Sequence, residues 1–102
     1  MSGNPLLVGL RPTHPGEILR EDVLPALGLP EEEVARRLHV SSQDLHAIIS
    51  EKQPVGPAMA LRLARFFGNS PEFWLNLQRD YDVATLSSAM DHELAAIEPV
   101  AA

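Results

Sequence analysis

Residues 31–50, EEEVARRLHVSSQDLHAIIS, read as two short helices joined by a tight turn, and the rest of the chain is legible as support for them. In the first half Val34, Ala35 and Leu38 fall at i, i+1 and i+4, which places them on one face of a helix; in the second half Leu45, Ile48 and Ile49 do the same. Val40 plugs the angle between the two. Ala35 stands where a crossing helix has to come close, and a small side chain suits that approach. Ser41 is a suitable N-cap, and Asp44 three residues later makes a variant capping box, so the second helix is predicted to start at about Ser42.

Outward from this pair, the upstream stretch His14 to Leu29 predicts one helix. Pro15 suits the first helical position, Glu17 favours the positive end of the dipole, and Ile18, Leu19 and Val23 supply a buried side. Pro25 is expected to end or bend this helix near Leu24, Gly28 to close the unit, and Pro30 to open the next one. Downstream, Gly56 and Pro57 start a fourth helix with the stripe Ala60, Leu63, Ala64 and Phe67 and a stop at Gly68. Ser70 and Pro71 start a fifth, in which Trp74, Leu77 and Tyr81 continue the stripe. From Val83 to Glu98, Val83, Leu86, Met90, Leu94 and Ile97 recur at spacings of three or four and predict a further helix with Pro99 as its stop. The expected fold class is therefore all-α: a compact five-helix domain over residues 14–82, a C-terminal helix and tail over 83–102, and an N-terminal arm over 1–13 read as loosely packed, the alternative being a short extended segment that lays Leu6, Leu7, Val8 and Leu10 on the core or on a partner.

Composition narrows the function classes. A 102-residue chain without cysteine has neither a disulfide framework nor a thiolate metal site, and no apolar run approaches the roughly 18 residues of a membrane span. A cytoplasmic protein without membrane contact is the expectation. The four histidines, His14, His39, His46 and His92, share no metal-ligand spacing, and no glycine-rich phosphate loop or nucleophile motif is present. No enzyme activity, metal, cofactor or small-molecule ligand is expected. Eight basic residues against 14 acidic give a net charge of -6, an unusual balance for a nucleic-acid binder. Half of it is local: residues 84–102 hold Asp91, Glu93 and Glu98 and no Lys or Arg. Arg36, Arg37 and Lys52 are the basic residues near the central helix pair.

Val34, Ala35, Leu38, Val40, Leu45 and Ile48 lie at the spacings of the helix-turn-helix of phage-repressor-like, or XRE-type, DNA-binding domains. HPGEILREDVLPALGL (residues 14–29) and PVGPAMALRLARFFGNSPEFWLNLQRDYD (residues 54–82) further resemble the HigA-type, VapI-like antitoxins of bacterial toxin-antitoxin modules. The resemblance spans roughly residues 11–83. It implies that the second helix of the pair enters the major groove of operator DNA. The DNA-facing set is then Ser41, Ser42, Gln43, His46, Ala47, Ser50 and Lys52, with Arg37 on the preceding helix. Gln43 leads, because a carboxamide makes a bidentate contact with adenine N6 and N7; Lys52 suits the phosphate backbone. Many relatives have arginines on this helix and a phosphate-bonding Gln at the start of the preceding one. Here those sites hold Ser42, Ala47 and Glu31, and His39 stands where many helix-turn-helices place Gly. The resemblance also implies binding of a HigB/RelE-like mRNA-cleaving toxin, for which an acidic partner is electrostatically suited, and autorepression of the operon as a homodimer. The dimer contact is expected on Trp74, Leu77, Tyr81, Leu86, Met90, Leu94 and Ile97. A stand-alone XRE-type regulator, or a helix-turn-helix kept as a protein-binding module with weak DNA binding, is the alternative.

Overall fold

The computed structural model describes residues 12–100, and every regular element among them is a helix. The predicted arm lies almost wholly outside the described residues: Leu6, Leu7, Val8, Leu10 and Arg11 belong to the stretch 1–11, which lies outside them, and so do Ala101 and Ala102 at the other end. The first helix starts where expected. His14 turns its ring back as a cap, its Nδ1 accepting from the Gly16 N–H at 2.9 Å, and Pro15 takes the first helical position.

This helix does not stop near Leu24. It runs from α1 (Pro15–Ile18) through a π-helical stretch, Leu19–Val23, into α2 (Leu24–Leu27). In the wide turn the Leu24 N–H donates to the Leu19 carbonyl, five residues back, and Pro25, which has no N–H to place, takes an early position of the segment that follows. The proline is absorbed by a π turn rather than by a break. Gly28 then ends the helix in the left-handed region at φ 68°.

The central pair forms as α3 (Glu31–Leu38) and α4 (Ser42–Ile49). Between them His39 adopts the left-handed conformation at φ 61°, and the Val40 N–H reaches back to the Ala35 carbonyl at 3.0 Å, the outer bond of a Schellman ending. Ser41 Oγ accepts from the Asp44 N–H at 3.0 Å and opens α4 at the predicted residue. Behind the pair lie α5 (Pro57–Phe67), ended by Gly68, and α6 (Pro71–Ala89), opened by Ser70, whose Oγ accepts from the Phe73 N–H.

The two halves of the C-terminal region are joined differently from the prediction. No Gly or Pro separates Tyr81 from Val83, so α6 continues to Ala89 and only the short α7 (Asp91–Ala95) follows, ending before Glu98. From Val83 onward every described residue is exposed. The predicted stripe is intact and uncovered: Val83, Leu86, Met90, Leu94 and Ile97 are all exposed, and the protein is elongated, 52 × 29 × 22 Å, with this arm projecting from the core.

The core collects Leu19 from the first helix, both stripes of the central pair, Val55 from the loop, Ala60, Leu63 and Ala64 from α5, and Trp74 from α6. Trp74, expected at the dimer contact, is enclosed in the core of its own chain. Near the start of α6 its ring packs beside Phe67 and its Nε1–H donates to Asn69 Oδ1 at 2.9 Å, leaving it 1% exposed. Leu77 is half-buried against the same core, and Tyr81 meets the His14 ring edge to face at 4.9 Å. Those two are partly buried, which leaves Leu86, Met90, Leu94 and Ile97 as the exposed members of the expected dimer contact.

Candidate nucleic-acid interface

The apolar face of α4 is spent on the core, which leaves its polar face to the outside. Ser42, Gln43, His46, Ala47 and Ser50 come together there with Lys52, and they line one concave surface. Its far wall is Glu31 and Glu32 from the start of α3. Six of the eight sequence-predicted contacts thus share a surface. Ser41 lies at its edge with its hydroxyl oxygen engaged as the cap of α4.

Arg37 is elsewhere. Its Nε donates to Glu33 Oε2 at 2.7 Å, and its side chain lines a separate groove with Leu38, His39, Leu61, Arg62 and Phe66. The spacing of an eight-residue helix explains this: residues 31 and 32 point to one side of α3, residue 37 to another. Arg36 is also drawn to Glu33, and the two guanidiniums hold the Glu33 carboxyl down to about 2. Neither of these arginines is on the α4 surface, where Lys52 is the one Lys or Arg lining it.

The side chains on the surface differ in what they have to offer. Ser50 Oγ donates to the His46 carbonyl at 2.7 Å, so its proton is used within the helix and only its lone pairs face out. His46 Nδ1 lies 3.0 Å from Glu31 Oε1. Gln43 makes no side-chain hydrogen bond among the described residues and keeps both its donor and its acceptor. Lys52 likewise forms no ion pair among the described residues.

Three supports of this surface were not legible from spacing. Arg20 Nη1 donates to the Ile49 carbonyl at 2.6 Å while Nη2 meets Glu51, and Arg62 Nη1 donates to the Leu38 carbonyl at 2.9 Å. Each helix of the pair is thus closed at its negative end by an arginine from another element. Gly16 is the third: a Cβ built on it would lie 1.9 Å from the Ile48 carbonyl oxygen, so the first helix crosses α4 at a distance that only glycine permits. His14, beside it, is buried, and desolvation lowers its pKa below the ordinary value despite the carboxylates of Glu51 and Asp82.

No protein-family model matches the chain. Among characterised sequences it is similar to virulence-associated protein I of Dichelobacter nodosus, 44% identical over 70 residues that span 69% of this chain and 65% of that protein. Among solved structures it is similar to the Pseudomonas aeruginosa antitoxin HigA determined with the higBA promoter, at 39% identity and a TM-score of 0.83 over 89% of this chain and 100% of that one. The antitoxin GraA in complex with its operator matches at 38% identity and a TM-score of 0.84, covering 92% of this chain and 96% of that one. With identities of 38–39% over nearly the whole length of those two solved antitoxins, and with the helix pair formed as described, this chain belongs to the HigA-type family of helix-turn-helix antitoxins.

Proposed function

We propose that the chain is an antitoxin that neutralises a HigB/RelE-like mRNA-cleaving toxin and, as a homodimer, represses its own operon by laying α4 in the major groove of operator DNA. The observation that carries the DNA half is the division of α4. Leu45, Ile48 and Ile49 are buried while Ser42, Gln43 and His46 are exposed, in a family whose members have been solved on promoter and operator DNA. A polar face held rigidly by packing on its reverse is what base readout requires.

The toxin half is supported by charge and by family. A basic RNA-cleaving enzyme would be steered toward a chain of net charge -6. The dimer is supported by the uncovered stripe Leu86, Met90, Leu94 and Ile97. These side chains are 36–65% exposed, so covering them contributes on the order of 3–6 kcal/mol gross per chain, before association costs remove much of it. Two such chains would set their α4 helices about 34 Å apart on a near-palindromic site. The expected setting is the cytoplasm; among the described residues no helix is long and apolar enough to cross a membrane.

The test of the DNA half is a fluorescence-anisotropy titration at low salt against duplex from upstream of the chain's own operon. Saturable binding that a scrambled duplex does not reproduce is expected. Absence of binding would leave the second reading, a protein-binding helix-turn-helix, which Glu31 and Glu32 on the α4 surface favour. Co-expression with the toxin from the same operon tests the other half: growth should be restored and the two proteins should co-purify.

A further inference from the structure

One pairing on the α4 surface is not explained by the fold. Glu31, the first residue of α3, reaches His46 in the middle of α4, with Oε1 to Nδ1 at 3.0 Å. Both side chains are well exposed, 41% and 68%, so burial does not force them together. The chemistry of the partners settles where the proton lies. An ionised carboxylate only accepts, so the bond requires the hydrogen on Nδ1 of His46. In the neutral ring Nε2 is then a bare lone pair on an exposed side chain that lines the α4 surface, the reverse of the tautomer an unconstrained imidazole prefers.

We propose that Glu31 is a positioning residue for base readout: by holding His46 in the Nδ1–H tautomer it makes Nε2 an acceptor, which selects a base carrying a major-groove amino group, adenine at N6 or cytosine at N4. Guanine, with N7 and O6, and thymine, with O4, present acceptors to that lone pair and are rejected. The surroundings fit this role. The surface has two carboxylates, Glu31 and Glu32, and one ammonium, Lys52, so it attracts phosphate weakly and more of the discrimination falls to base edges. Engagement with His46 also gives the Glu31 carboxylate a function where a phosphate contact is electrostatically closed to it. The proposal rests on the operator reading above.

Two measurements test it on the full chain at about pH 8.5, about two units above the ordinary histidine value. The first needs no DNA. Long-range proton–nitrogen correlation spectra of the imidazoles should show His46 as the Nδ1–H tautomer in the native protein and predominantly as Nε2–H in Glu31→Ala. The second is selection from a pool of duplexes with a randomised central segment. The native chain is expected to enrich adenine or cytosine at one position of each half-site, and Glu31→Ala to weaken that preference roughly two- to tenfold while leaving the other positions unchanged. Adding Glu31→Ala to His46→Ala should change the base preference no further, while overall affinity rises with the loss of a carboxylate from the surface. A native protein that enriches no sequence overturns the operator reading and this proposal together. An Nε2–H tautomer in the native protein, or a Glu31→Ala variant with an unchanged profile at every position, overturns this proposal alone.

Discussion

His14, Pro15 and Gly16 show how much a short run can depend on individual side chains. His14 caps the first helix through Nδ1, Pro15 fills the first helical position, and Gly16 lets the backbone touch α4. Gly16→Ala should destabilise the protein by about 1–3 kcal/mol or more, because the clash is with a carbonyl rather than with a movable side chain; urea denaturation measures it. The cap also predicts a pH dependence. Burial lowers the His14 pKa in the folded state, so the folded protein binds fewer protons than the unfolded chain. Its contribution is complete above the ordinary histidine value near 6.5 and is lost as the pH falls through the lower folded value. Melting temperatures taken between pH 8 and 5 should decline on the acid side, and His14→Ser, which keeps a cap but cannot titrate, should flatten that part of the curve. At His39 the expectation runs the other way. A non-glycine residue at φ 61° carries strain, so His39→Gly should stabilise by about 0.5–1 kcal/mol once the added entropy of the unfolded chain is set against the relief.

Among the elements, the α4 unit is held from behind by polar bonds as much as by apolar packing. Gln78 of α6 is buried, its Oε1 accepting from the Val55 N–H at 2.8 Å and its Nε2 donating to Asp82 Oδ1 at 2.9 Å. It ties the loop after α4 to the back of the domain. Gln78→Leu would leave the Val55 N–H buried and unpaired, and should cost about 1–3 kcal/mol in denaturant titration. That glutamine and the two arginines on the Ile49 and Leu38 carbonyls lie 23 to 29 residues from their partners, which is why no local pattern announces them. The helices themselves were open to prediction because their signals are local: Ser41 and Ser70 as caps, Gly28 and Gly68 as stops, apolar residues at helical spacing. Pro25 is the exception. Its effect depended on whether the turn before it could widen, and the π stretch provided that.

For the molecule as a whole, the projecting arm is the feature with the largest consequence. Truncation after Asp82 keeps every core residue and the Gln78–Asp82 bond, and should give a folded monomer by light scattering with weakened operator binding. Leu86→Asp with Leu94→Asp in the full chain should do the same; a fully dimeric double variant would place the interface elsewhere. On DNA, Gln43→Ala should cost roughly 1–3 kcal/mol at one base position, whereas Lys52→Ala should weaken all sequences alike and flatten the salt dependence, both read by anisotropy. By itself the sequence determined the all-helical class, the start of α4, the buried stripes and the exposed polar set from Ser42 to Lys52, because each follows from helical periodicity and capping within a few residues. Only the tertiary structure decided between the core and the exposed surface for Trp74, which the sequence had placed in both the stripe and the dimer contact, turned Arg37 away to Glu33, and ran α6 on past Tyr81 into an uncovered arm. It alone brought Glu31 onto His46. The reason is physical: period and caps give each helix a face, but which faces meet is set by how closely the helices cross, and here that distance is fixed by a glycine against a carbonyl and by arginines reaching across the chain.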